Sequence, residues 1–411
     1  MYSSKTPVST AQVREGNRCQ VLEAFLDGAP RSAGDVAEQV GLSRQTVMKS
    51  IQFFLRTGLL ESVGKGDSTS LGGKRPELFG LTRKRYFLSI TIWPGQLRLR
   101  LTTVGGSAVA ERSLTDPLPP EPRAAMDRIG RLCAELVGRS GVDMDRVAAV
   151  SVSTAGILDY RTGTLRYSSQ SPQWGTDVPI QTWLRPRFAP GTLIFAENAG
   201  KMAARPFLRE PELERKRVMV IFACWGLSAA MIEAGEILSG SNSLIGEIGH
   251  MIVEPSDPEV CGCGSRGCLE RLVSIRRLRE LARSWAPEHP GSVLVPDESL
   301  TVPRIFEASA RGDGLAMALS GYLAEKFALA LRNVSLSFDP DVVVFQGDYA
   351  NADRHFRDTL RGCIGQLQYF PPEGPFELRF DDRDLAEMDA EGAHIALSRL
   401  YFSQPELYME A

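Results

Sequence analysis

The chain has 411 residues, 43% hydrophobic and 24% charged, the composition of an ordinary soluble protein long enough for two or three domains. No run of about 18 or more apolar residues occurs, and the N-terminal MYSSKTPVSTAQVREGN lacks the apolar stretch of a secretory signal, so the expected location is the cytoplasm, with no membrane partner. The net charge of -3 hides an asymmetry: residues 1–85 carry 13 Lys and Arg against 8 Asp and Glu, the remainder 34 against 42, and only the first segment suits a polyanion.

From Arg14 to Leu26 the spacing VxxxxLxxFL predicts a first helix, stopped by Asp27-Gly28-Ala29-Pro30. Ser32 followed three residues later by Asp35 predicts a capping box opening a short second helix, with Val36, Ala37 and Val40 inward and Gly41 at its end. Ser43 caps a predicted third helix, SRQTVMKSIQFFLRTG. There Val47, Ile51, Phe54 and Leu55 form an apolar stripe, while Arg44, Gln45, Thr46 and Lys49 point elsewhere. This order puts Ser43, Arg44, Gln45, Thr46 and Lys49 at the end of the third helix that meets base edges when such a helix enters the major groove. Arg44 and Gln45 are the expected base readers. Two further strands around the basic tip GKGDSTSLGGKRP form a wing whose Lys65, Lys74 and Arg75 would reach phosphate or the minor groove. The competing assignment is a protein–protein module with a solvated basic face. Helix order, caps, wing and charge together favour a winged helix-turn-helix over residues 1–85, bound to double-stranded operator DNA.

From residue 86 onward FLSITIW, LRLRLTTV, AAVSVST, TLIFAEN, RVMVIFACW, AAMIEAG and DVVVFQGD predict strands, with helices around 123–139, 272–286 and 314–336. That is an α/β body, and the early pairing of strands before a long helix suits a mixed sheet. Residues 287–303, rich in proline and polar side chains, predict a surface loop.

The strongest chemical signal is GEIGHMIVEPSDPEVCGCGSRGCLE at 246–270. His250, Cys261, Cys263 and Cys268 offer one imidazole and three thiolates, a complete tetrahedral zinc set. Glycines at 262, 264 and 267 allow the tight turns that bring close sulfurs onto one ion. With all four positions filled by protein, the expected cofactor is one structural zinc per chain; the competing assignment is a redox-active or merely buried cysteine cluster. Cys19, Cys133, Cys224 and Cys363 are scattered among apolar neighbours.

A glycine-rich loop followed by GEIGH and CGCGxxGCLE resembles the signature of the ROK family of repressors and sugar kinases, over nearly the whole chain. Further matches are SVSTAGILD at 151–159, SPQWGTDVP at 171–179, AEN at 196–198, SFDPDVVVFQGD at 337–348 and the GGKRP wing tip. The resemblance implies an actin-like or hexokinase-like body of two α/β lobes over 86–411 with a sugar cleft between them. Lobe one would be 86–197 completed by a C-terminal helix at 384–402, and lobe two 198–383. It also implies that Asn198, Glu247, His250 and Glu270 hydrogen-bond sugar hydroxyls, the histidine serving both zinc and sugar. The alternative for Glu247 and Glu270 is that they brace the zinc loop.

Kinases that this sequence resembles carry a DxGGT-type loop where Thr91, Ile92, Trp93, Pro94 and Gly95 stand here, and a GTGxGxG-type loop where Cys224 to Ala230 keep one glycine. After Glu197-Asn198 the kinases have their general base, an aspartate, and this chain has Ala199; Lys201 stands where the family often has a further asparagine. The expected function is therefore not enzymatic. It is a transcription regulator, by resemblance a repressor of carbohydrate-metabolism genes, working as a homodimer or homotetramer under a small-molecule sugar effector. The alternatives are a DNA-binding regulator under a protein partner and a residual sugar kinase.

Overall fold

Ser32 and Asp35 form the capping box that their spacing predicts. The Ser32 hydroxyl accepts the Asp35 N–H at 3.2 Å, the Asp35 carboxylate accepts the Ser32 N–H at 3.0 Å, and Gly41 ends the helix at φ +69°. Replacing Ser32 by alanine is expected to cost about 1 kcal/mol, read as an earlier midpoint in urea.

The computed structural model describes residues 10–66, 75–365, 374–404 and 406–409. In chain order the elements begin with α1 (Thr10–Glu23), β1 (Arg31–Ser32), α2 (Ala33–Val40), α3 (Arg44–Arg56), β2 (Leu60–Lys65) and β3 (Glu77–Leu81). Next come β4 (Tyr86–Trp93), β5 (Gln96–Thr103), β6 (Ala108–Leu114), α4 (Pro122–Arg139), β7 (Val147–Thr154), β8 (Ile157–Asp159) and β9 (Thr164–Tyr167). Then follow α5 (Ile180–Leu184), β10 (Leu193–Asn198), α6 (Ala199–Ala204), β11 (Val218–Ala223), β12 (Leu227–Glu233), β13 (Glu236–Ile237), α7 (Leu269–Leu272) and α8 (Ile275–Trp285). The last are α9 (Val302–Ala310), α10 (Gly314–Ser337), β14 (Val342–Gly347), α11 (Arg354–Ile364), β15 (Glu377–Phe380), α12 (Leu385–Phe402) and α13 (Glu406–Met409).

Each strand predicted for the body overlaps an observed one. The first helix starts earlier, at Thr10, and ends earlier, at Glu23, than its apolar spacing predicts: after Glu23 the N–H groups of Phe25 and Leu26 turn back to the Leu22 and Glu23 carbonyls, so the chain tightens while Phe25 stays inward. Residues 289–301 contain no helix or strand, yet Leu300 is buried and Leu294 packs on the core.

Two compact units result. One comprises Met1–Val152, Ile180–Ala196 and Ala393–Ala411, the other Ser153–Pro179 and Glu197–Gly392. Residues 153–179 thus belong with the second unit, where the sequence carried the first lobe on to 197, and the division through the C-terminal helix falls within α12.

In the first unit α2 and α3 pack on a three-stranded antiparallel sheet ordered β1-β3-β2, and α1 packs on α2 and α3. Val36, Val47, Ile51 and Phe54 fill that core, and it runs on without a break into Phe87, Leu397, Tyr401, Phe402 and Tyr408. The Arg85 guanidinium donates to the Tyr401 hydroxyl at 2.6 Å and to the Leu407 carbonyl at 3.3 Å. A second sheet is ordered β10-β7-β4-β5-β6; Leu97, Leu99 and Leu101 of β5 alternate inward, and α4 packs on β5 and β6.

The second unit is built on a sheet ordered β13-β12-β11-β14-β15, antiparallel from β13 to β11 and parallel from β11 to β15. Every residue of β11 is buried, as a central strand covered on both faces requires. On one side lies an aromatic cluster of Phe306, Phe327, Phe345, Tyr349 and Phe356; on the other α6, Phe207 and Met388. Helix α10 is long and apolar enough to cross a membrane by composition, but Leu319, Leu323, Phe327 and Leu331 are fully buried in this core, which accounts for its hydropathy.

Candidate functional site

Glycine brings the GEIGH segment against β12. The Gly246 carbonyl accepts the Ala229 N–H at 2.6 Å, and a Cβ on Gly246 (φ +98°) would stand 1.8 Å from the Ala229 oxygen. A Cβ on Gly249 would likewise stand 2.3 Å from the Leu227 oxygen. Glu247 and His250 are thereby fixed at the mouth of the loop that follows. That loop folds back through the Val253 N–H on the Gly267 carbonyl (2.9 Å) and the Leu269 N–H on the Met251 carbonyl (2.9 Å).

The return places the donor atoms of His250, Cys261, Cys263 and Cys268 within 4.8 Å of one another. Cys263 and Cys268 are 3.6 Å apart at sulfur, and the Cys261 sulfur lies 3.8 Å from His250 Nδ1. With metal–sulfur bonds of about 2.3 Å, a tetrahedron has sulfur–sulfur edges of roughly 3.8 Å, so the four groups fit a tetrahedral thiophilic cation. They could hold a metal ion. Burial, and then the neighbouring thiols, push the Cys268 thiol up. Arg271 pairs with Glu259 at 2.5 Å and Glu280 at 3.3 Å, and Arg276 with Glu259 at 2.9 Å, tying the loop to α8.

Beside the metal loop is a pocket of about 50 Å³ whose lining comes from the second unit alone, including Asn198, Ser228, Glu247, His250 and Glu270. Since roughly 10–15 Å³ holds one water, it has room for a few water-sized groups. The four residues expected around a sugar are together, but two already have partners. Glu270 accepts the Leu227 N–H at 2.9 Å. Asn198 caps α6, its oxygen accepting the Gly200 (2.8 Å) and Lys201 (3.3 Å) N–H groups while its amide donates to the Gly156 carbonyl at 2.9 Å. The sequence did not single out Tyr167, whose hydroxyl donates to the Gly262 carbonyl at 3.0 Å, or Gln170, whose amide donates to the Trp225 carbonyl at 2.7 Å. Both walls depend on partners more than 50 residues away, a signal no local pattern carries.

Burial pushes the Glu247 carboxyl up to about 7, buried Lys201 opposing and Glu270 adding to the shift. The neutral carboxyl is the form this fold favours. Stability from it is complete below the ordinary carboxylate range and is lost as pH rises through about 7. Glu247→Gln should therefore flatten the stability profile of the ligand-free protein between acid and neutral pH; an unchanged slope would contradict the assignment.

At the positions of the kinase loops, Thr91 to Trp93 end β4, and Pro94-Gly95 make the turn into β5, with Gly95 at φ +72°. Cys224 to Gly226 make a tight turn between β11 and β12, the Cys224 N–H donating to the Gly226 carbonyl at 3.1 Å. The Trp225 ring lies 5.1 Å from that of Phe222, and both line the pocket. Ala199 is buried at the start of α6 and also lines it, contributing a methyl group.

In the first unit the Ser43 hydroxyl caps α3 by accepting the Thr46 N–H at 3.2 Å, and its oxygen is 2.9 Å from the Thr46 hydroxyl, so half-buried Thr46 belongs to the cap. Arg44, Gln45 and Lys49 are exposed on one face of α3 and share a groove of about 480 Å³ with Met48 and Gln52. Those last two were missed, although their spacing of four and eight from Arg44 marks the same helix face. Lys65 and Arg75 are exposed at the strand ends flanking the tip; Lys74 lies outside the described residues.

Against known proteins, the sequence profile of the ROK family matches residues 97–382. The chain is 22% identical over 362 residues to the xylose repressor of Caldicellulosiruptor bescii, covering 87% of this chain and 89% of that protein. It is 24% identical over 356 residues to the DNA-binding transcriptional dual regulator NagC of Escherichia coli, covering 86% and 85%. Among solved structures, a ROK family transcriptional regulator, a homolog of the E. coli MLC protein, superposes with a TM-score of 0.79 at 19% identity, covering 97% of this chain and all of that one. A ROK family glucokinase from Streptomyces griseus, solved with glucose and AMPPNP, gives 0.60 at 22% identity over 76% of this chain and 98% of its own. The body has the actin-like, hexokinase-like fold of these proteins, and the chain belongs to the ROK family.

Proposed function

We propose that this chain is a sugar-responsive, DNA-binding transcription regulator that represses carbohydrate-metabolism genes. The observation that carries this is the reach of each likeness. The glucokinase stops at 76% of the chain, whereas the regulator structure spans 97%, and the matches to the xylose repressor and NagC are long enough to extend well before residue 97. What the regulators share beyond the kinase-like body includes the head.

The three helices and three strands of residues 10–81 are a winged helix-turn-helix. Arg44, Gln45 and Lys49, with Ser43 and Thr46 holding the helix start, face the major groove, and Lys65, Lys74 and Arg75 contact phosphate. Cys261, Cys263, Cys268 and His250 hold one structural zinc. His250 would hold the ion through Nδ1, the ring nitrogen 3.8 Å from the Cys261 sulfur, which would orient the imidazole and leave Nε2 for a ligand hydroxyl. Asn198, Glu247, His250 and Glu270 orient the sugar. Ala199 offers no proton acceptor, and Trp93 and Pro94 stand where the kinases' phosphate loop has glycines, so the sugar is bound and not phosphorylated. Two chains, or two pairs, would present their heads to a palindromic operator in the cytoplasm, with head spacing set by the ligand.

The test is fluorescence anisotropy of the zinc-loaded protein on its own upstream DNA, titrated with a panel of sugars. Sequence-specific binding weakened by one sugar is expected. Arg44→Ala should lose about tenfold or more in specific affinity, and Glu247→Ala should abolish the sugar response while leaving operator binding. Binding without sequence preference would defeat the regulator assignment, and a normal sugar response in Glu247→Ala would remove Glu247 from it.

A further inference from the structure

The outer face of α3 is not uniformly polar. Arg44, Gln45, Lys49 and Gln52 are exposed and surround half-buried Met48, and the five line one groove of about 480 Å³. Met48 stands about one turn after Arg44 and about one turn before Gln52, at the middle of that face. The core alone does not account for it. Val47, Ile51 and Phe54 are fully buried and close the interior beneath α3; Met48 packs against that cluster and still lines the groove.

The N-terminal turns of a helix set in the major groove meet base edges, and Met48 lies in the second turn of α3. The four side chains around it carry hydrogen-bonding groups that suit the donors and acceptors shown there by every base pair, whereas the Met48 thioether is at most a weak acceptor. Set against a polar edge, it would leave donors or acceptors of that edge without partners. The one apolar group that bases present in the major groove is the C5-methyl of thymine.

We propose that Met48 is a specificity-determining residue that covers a thymine methyl group, so that each operator half-site carries an A·T pair opposite the second turn of α3. The proposal rests on the assignment of α3 to the major groove. The contact removes apolar surface of both partners from water and demands no hydrogen bond of either. Helix geometry also places the thymine. Residues 44 and 48 are about 6 Å apart along the helix, against about 3.4 Å per base pair, so the thymine lies within about two base pairs of the base that Arg44 reads.

The experiment first selects bound sequences from a random double-stranded DNA library with the full-length, zinc-loaded protein. Anisotropy is then measured on the selected operator with each thymidine replaced in turn by deoxyuridine, which keeps the base pairing and lacks the methyl group. One position per half-site, within about two base pairs of the base whose preference Arg44→Ala relaxes, is expected to bind about fourfold more weakly without its methyl. In Met48→Ala that position should no longer distinguish thymidine from deoxyuridine, while the other positions keep their preferences, which shows that the head is folded. If alanine unfolds it, Met48→Gln, a good helix former of similar length, is measured instead with the same expectation. The proposal is overturned, and the DNA-binding assignment left standing, by a selected operator with no methyl-sensitive thymidine near the Arg44 base, or by undiminished sensitivity in a variant that still selects the remaining bases. No enriched sequence at all overturns both.

Discussion

Stripping the metal with a strong chelator, or replacing Cys268 by alanine, is expected to release residues 246–268 and lower the melting temperature by roughly 10 °C. After the short 3-10 turn at Ile248–His250 the segment has little regular structure, only two isolated β-bridges, Ile252 with Cys268 and Val260 with Arg266, and the backbone hydrogen bonds of its turns. Structural zinc in small peptides binds with about 10–16 kcal/mol. Even a fraction of that exceeds the exposed ion pairs of Arg276, each worth at most about 1 kcal/mol. Cys268 also precedes α7, whose second residue is Glu270, so losing the metal should disorder one wall of the pocket. Elemental analysis should give one zinc per chain in the native protein and none in the variant. Equal melting temperatures with and without metal would show that the loop folds independently of it.

Gly246→Ala should be the most damaging single methyl group in the second unit. It would combine a backbone in the left-handed region with a Cβ 1.8 Å from a carbonyl oxygen of a central strand. Backbone strain and overpacking of about 1–3 kcal/mol each sum to a loss near 4 kcal/mol. Glu247 moves with Gly246, so sugar binding should fall as well. Gly264→Ala is the control: φ is +88° but nothing lies within 4 Å, so only strain of about 1 kcal/mol is expected. Urea denaturation of the pair measures the difference, and similar losses in both would mean that the GEIGH segment yields rather than clashes.

Features written in neighbouring residues were legible beforehand. The Ser32 box, the Ser43 cap and the Val47-Ile51-Phe54 stripe depend on spacings of three and four, and the zinc set on residue type within 19 residues. Strands such as β1 and β6 were not. β1 is two residues long and exists because β3 pairs with it; β6 has no buried residue and carries Glu111 and Arg112 into the ladder with β5, so it shows no apolar alternation. Helix α11 was missed despite Phe356, Leu360 and Ile364 at a spacing of four, a pattern that could have been read. In the pocket, residue identity was legible but occupancy of hydrogen bonds was not. That Asn198 is largely committed to α6 and Gly156, and Glu270 to Leu227, depends on contacts 42 and 43 residues apart.

The continuous core of the first unit has a consequence for modularity. A fragment ending at Arg85 would keep the helix that faces DNA but lose Tyr408, whose ring lies 6.4 Å from Phe54, and Tyr401, to which Arg85 donates. It would also lay bare apolar surface that Phe87, Leu397 and Phe402 now cover. Transplanting this head onto another effector body therefore means carrying the end of the chain with it, because the head's core is finished by residues more than 300 positions away. Among homologues, then, the head and the chain terminus should be inherited as one unit, and chimeras joined only at the head boundary should fold poorly.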